Sequence, residues 1–133
     1  MSDILRIGVI CEGPTDRIVI EASLQKMVNK EFVLTTLQPE ISELGNHFGI
    51  YGGGWKGVRS YCSNMSKSGS FSSNPALRFL NLIIVHIDAD IAGDDEIQCE
   101  KECPPPFNTV KELRKVLLSW MKEDQKPENV VFC

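Results

Sequence analysis

Three carboxylates in this chain stand where apolar runs stop. Glu12 follows residues 4–11, and Asp88 and Asp90 follow residues 80–87. Asp88 and Asp90 are two apart, so on extended backbone they point to the same side, as sharing a cation requires. Two or three carboxylates suit magnesium, which prefers a few hard oxygen ligands and keeps several waters, better than a metal that demands imidazole or thiolate. Acids also cap strand-to-helix turns, which accounts for any one of them; their joint placement points to a metal.

The charge pattern adds a polyanion to the cation. Net charge is −4 and the pI is about 5.2, which excludes a protein that coats nucleic acid by bulk charge. Yet residues 44–87 are 44 consecutive positions without Asp or Glu, where the average of 18 acids in 133 residues predicts about six. Lys56, Arg59, Lys67 and Arg78 fall in that stretch, and Asp88, Asp90, Asp94, Asp95, Glu96, Glu100 and Glu102 follow it. A basic segment facing a polyanion thus adjoins an acidic cluster suited to cations. Within it, Gly53 and Gly54 allow the backbone to approach a phosphate, with Lys56 and Arg59 adding charge; the alternative is a plain turn.

The elements that must position these residues can be read from periodicity. Residues 4–11 are short, β-branched and apolar, and end at Glu12-Gly13-Pro14, a strand followed by a helix start. Residues 15–30 place Ile20, Leu24 and Met27 near one face, with Val28 adjoining, as an amphipathic helix. Residues 32–37 form a second strand closed by Pro39. A short helix is expected over residues 55–65 and a mobile Ser/Gly-rich loop over residues 66–74. The run 80–87 has the signature of a strand covered on both faces. Thr109 and Glu112 make a capping box for a helix bearing Val110, Leu113, Leu117 and Trp120, and residues 130–132 form a fourth strand. Strands alternating with helices predict an α/β fold with a mainly parallel sheet of about four strands and helices on both faces. Ligands of such sheets sit at the carboxyl ends of the strands, where the strand order switches.

The segment Val9-Ile10-Cys11-Glu12-Gly13-Pro14-Thr15-Asp16-Arg17 resembles the first motif of Toprim domains, closest to that of the OLD-family nucleases. Ile87-Asp88-Ala89-Asp90 resembles the second motif, and Gly53-Gly54-Trp55-Lys56-Gly57 the Gly-Gly segment between them. The likeness covers residues 4–95. It implies a Toprim-like, Rossmann-like fold and metal-dependent phosphodiester chemistry of nuclease type. Glu12 would be a metal-associated general acid or base, Asp88 and Asp90 ligands of Mg2+ or Mn2+, and nucleic acid the partner, DNA ahead of RNA. Such chemistry is catalysed chiefly by positioning and by neutralising charge. Asp16 would orient Glu12 or hold a second cation through water; as a helix N-terminal acid it also has a purely structural reading. The chain has no Walker A pattern and no identifiable late basic residue. A non-catalytic module acting with a separate ATPase is therefore the competing reading, with a homodimer as a further possibility for assembly. A small-molecule phosphatase ranks third, because that chemistry places an aspartate nucleophile where this chain has Glu12.

Length and composition bound these readings. A chain of 133 residues, 42% hydrophobic and 24% charged, is expected to be one folded domain over residues 1–133, and the abrupt apolar end suggests an N-terminal fragment of a longer chain. No apolar run approaches the roughly 20 residues that span a bilayer, and no signal peptide is evident, so a cytoplasmic protein is expected. Five cysteines exclude a complete disulfide framework, and Cys99 with Cys103 lacks a second pair for zinc. Gly52, Gly54 and Gly57 satisfy a G-x-G-x-x-G pattern but fail as a dinucleotide fingerprint, since no long strand precedes them and no acid follows at ribose spacing. His86 reads as a core histidine, His47 and Tyr61 have no spacing partner, and Trp55 reads as an anchor before a base-stacking platform.

Overall fold

The computed structural model describes residues 4–39, 52–67, 69–88 and 107–132. Among the described residues, four strands and three helices follow in the order β1 (Leu5–Ile10), α1 (Pro14–Met27), β2 (Phe32–Gln38), α2 (Gly54–Met65), β3 (Leu82–Val85), α3 (Phe107–Met121) and β4 (Val130–Phe132). The sheet order is β2-β1-β3-β4 and every pairing is parallel. The expected α/β architecture is therefore present, with β1 and β3 as neighbours.

Alternation along the strands divides the apolar residues into two layers. Ile7, Leu34, Leu82 and Ile84 pack with Ile20 and Leu24 of α1 and with Val28, which caps its end. Ile10, Ile83 and Val85 face the other way and pack with Val58, Tyr61 and Cys62 of α2 and Leu113, Leu117 and Met121 of α3. The division follows from handedness. Chain travel from β1 to β2 runs one way across the sheet and travel to β3 and β4 runs the other, so right-handed crossovers put α1 on one face and α2 and α3 on the opposite one.

Several expectations are corrected. In α1 only Leu24 is buried, while Met27 is 77% exposed, because among the described residues α1 alone covers its face and presents a narrow stripe to it. Helix α3 begins at Phe107, so Thr109 lies inside the first turn rather than capping it, and Glu112 pairs with Lys115 instead. The Ser/Gly-rich segment is anchored in its described part. Phe71 is buried within a 3-10 turn, Ser72 bonds Glu123 through both its amide and its hydroxyl, and Asn74 donates to the Met65 carbonyl. The strand expected over residues 80–87 is regular only from Leu82 to Val85, although Leu80 and Ile87 are buried at either end. Among the described residues no helix is long and apolar enough to cross a membrane.

Candidate active site at the ends of two neighbouring strands

The strand order reverses between β1 and β3, and the residues that leave these strands define the candidate site. Cys11 continues β1, its N–H donating to the Gln38 carbonyl at 2.9 Å. Its thiol is buried and directed at the carbonyls of Gly13 (3.3 Å) and Gln38 (3.6 Å). Burial, reinforced by the nearby Asp16 charge, pushes its pKa up to about 11. Cys11 is thus a neutral thiol at ordinary pH and no nucleophile.

Glu12 is partly buried and held at both ends. Its Oε2 accepts the backbone N–H of Asp88 at 3.0 Å, and its carbonyl accepts the N–H of Gly54 at 2.8 Å. Two segments remote in sequence converge on this one residue. Withdrawal from water raises the Glu12 carboxyl above its ordinary range; the Asp88 amide opposes this, the charges of Asp16 and Asp88 reinforce it, and His86 opposes it weakly. A carboxyl shifted upward in this way keeps its proton to higher pH than an exposed one, which favours proton handling.

Asp16 sits in the first turn of α1, where its Oδ2 accepts the N–H of Gly13 at 3.2 Å and caps the helix. Its Oδ1 lies 3.8 Å from Nε2 of His86, each side chain about one third exposed. The reading of His86 as a core histidine is therefore corrected. Because β3 ends at Val85, the His86 N–H still reaches the Ile10 carbonyl (2.8 Å), but its ring leaves the core beside the start of α1. Its place two residues before Asp88, in the same alternation, was the available signal.

The glycine turn lies against this site. Gly52 and Gly54 have φ of 74° and 72°, a left-handed conformation that favours glycine, and no atom lies within 4 Å of where a Cβ would be on either. Gly53 is the N-cap of α2. The Gly54 amide is engaged by Glu12, so what the turn offers a ligand is close backbone approach. Lys56 and Arg59 lie over the Trp55 ring, at 5.7 and 4.9 Å from its centroid, and Trp55 stacks on Trp120 of α3 with centroids 6.2 Å apart and planes 13° from parallel. Trp55 thus anchors α2 to α3 and carries two cations on one helical turn.

The structure therefore joins Glu12, Asp16, Asp88, the glycine turn and the unanticipated His86, and places Lys56 and Arg59 at the start of the helix that the turn opens. Asp90, His47, Cys99, Cys103, Cys133 and acidic residues 94–102 lie outside the described residues. Among the described residues no three His, Cys, Asp or Glu side chains form a ready metal-binding group. The donors that Glu12 and Asp88 bring are carboxylate oxygens, whose chemistry fits a hard divalent cation completed by water. Compared with protein-family models, curated proteins and solved structures, the chain matches none.

Proposed function

We propose that this chain acts on nucleic-acid phosphodiesters with magnesium or manganese, as a nuclease of the OLD/Toprim type with DNA as substrate. The observation that carries the reading is the 3.0 Å hydrogen bond from the Asp88 amide to Glu12 Oε2, which ties the ends of β1 and β3 together at the switch in strand order. In this reading Glu12, Asp88 and Asp90 hold the cation, which when bound neutralises charge on the reacting phosphate. Glu12 handles the proton, since burial already favours its protonated form. Asp16 fixes the turn after Glu12 by capping Gly13. Gly53 and Gly54 admit a phosphate, and Lys56 and Arg59 bind the strand that carries it.

The test is a metal-dependent cleavage assay on duplex DNA, paired with a binding titration. Glu12→Gln is expected to reduce cleavage by about 10²-fold or more while leaving binding nearly intact, because a proton-transfer group acts mainly in the transition state. Full activity in that variant would reject the assignment. A second reading, a non-catalytic module that docks on a separate ATPase, is favoured by one observation: Ile18 and Val19 of α1 are 63% and 60% exposed side by side. Under it the wild type would show no cleavage with either metal, and Ile18→Ser with Val19→Ser would abolish assembly.

A further inference from the structure

Gln38 ends β2 with a side chain that is polar and almost wholly buried. Strict alternation from Phe32 and Leu34, which pack toward α1, would send it to the same face. The pairing of β1 with β2 slips instead. Val9 stands opposite Thr36 and Ile10 opposite Gln38, and Leu37 is passed over. A bulge of this kind re-aims the side chain beyond it, and Gln38 accordingly turns to the face of Ile10 and α2. There its Nε2 donates to the Gly52 carbonyl at 2.6 Å, while its backbone carbonyl accepts the Cys11 amide. Gly57 of α2 is pressed against the same pair, for a Cβ there would run into the Gly52 carbonyl and reach 2.6 Å from Gln38 Nε2. Two residues after Gly52, the Gly54 amide donates to the Glu12 carbonyl. Both ends of the glycine turn are thus pinned, one to β2 and the other to the residue after β1. The Oε1 of Gln38 accepts no hydrogen bond among the described residues, a cost that a side chain kept only for packing would not carry.

We infer that Gln38 is a positioning residue which, with Gly57 leaving it room, latches the Gly52 to Gly54 turn onto Glu12 and so sets the affinity of the site for a phosphate-bearing strand. The inference rests on the reading of that turn as the phosphate-facing part of the site. Its test uses Gln38→Met, which keeps length without the donor, and Gln38→Asn, which keeps the amide but falls short of Gly52. Amide exchange by NMR is expected to accelerate about tenfold at Gly54 while the amides of Ile83 and His86, bonded to Asn129 and Ile10, keep their rates. The dissociation constant for a short DNA duplex in EDTA is expected to rise about tenfold. Unchanged Gly54 exchange in both variants overturns the latch. Faster exchange with unchanged DNA affinity overturns its positioning role. A wild type that binds no DNA overturns the functional reading instead, and Gly54 exchange still decides the latch.

Discussion

Glu12 combines burial with contacts to two distant backbone amides, one accepted by its carboxylate and one by its carbonyl, and that combination has a measurable electrostatic consequence. Its carboxyl titrates higher in the folded chain than in the unfolded one. Between the two values the folded state holds more protons, so stability falls as pH rises through that window. In metal-free protein Glu12→Gln is therefore expected to raise the melting temperature at neutral pH and to lose that advantage below the ordinary carboxyl range. Melting curves in EDTA at acidic and neutral pH check this; a wild-type advantage at neutral pH would contradict it. The thiols make a second prediction at this scale. Cys11 is raised to about 11 and Cys62, deeper in the core, to about 12, both chiefly by burial. Both are expected to resist iodoacetamide at pH 8 until the chain is unfolded, as peptide mapping of the alkylated sites would show.

Elements differ in how firmly they are held. Helices α2 and α3 meet over a continuous layer that includes Val58, Tyr61, Leu113, Leu117 and Met121, whereas α1 contributes Leu24 and Ile20 to its side, with Val28 at its C-cap. Met121 is fully buried and Met27 is 77% exposed, although both end helices. Met121→Ala is expected to cost roughly 2–5 kcal/mol and Met27→Ala about 0.5 kcal/mol or less, measured by urea denaturation. Equal effects would mean that α1 buries more than its described contacts indicate. Glycines divide the same way. The atoms nearest a Cβ on Gly8 belong to the side chains of Leu37 and Leu80, while one on Gly57 meets backbone. Gly57→Ala is thus the more damaging of the two.

For the molecule as a whole, the parallel sheet sends the turns after β1 and β3 to one edge, so that Glu12 and Asp88 meet there. Like charges gathered at one edge repel, and a cation bound there stabilises the folded state because the unfolded chain has no such site. Magnesium or manganese is expected to raise the melting temperature of the wild type and to leave Asp88→Asn unmoved; calorimetry with each metal reads this directly. The cations at the start of α2 make the complementary prediction. Replacing Lys56 and Arg59 together by Ala is expected to lower the slope of log affinity for DNA against log salt by about 2, since each lost phosphate contact releases about one fewer counterion. An unchanged slope would remove both from the site.

How much of this was legible in the sequence follows from which interactions are local. Strand and helix positions were readable because apolar spacing and the breaks at Gly13, Pro14 and Pro39 are set within a few residues, and the parallel α/β class follows from their alternation. Glu12 and Asp88 were legible for the same reason, as acids that end apolar runs. The start of α3 was not, because Thr109 and Glu112 offer a cap locally while the helix begins two residues earlier. Met27 and His86 were misread because burial depends on what covers a face, and α1 turns only a narrow stripe without Met27 toward the sheet while β3 ends before His86. Gln38 was invisible, since its role arises from a slip in register between two strands and from a turn that folds back on it. By itself the sequence determined the elements, the class of fold and the acids at the strand ends. Only the tertiary structure decided what holds those acids and the glycine turn, because hydrogen bonds spanning 14 to 76 residues depend on strand order and register, which no local pattern encodes.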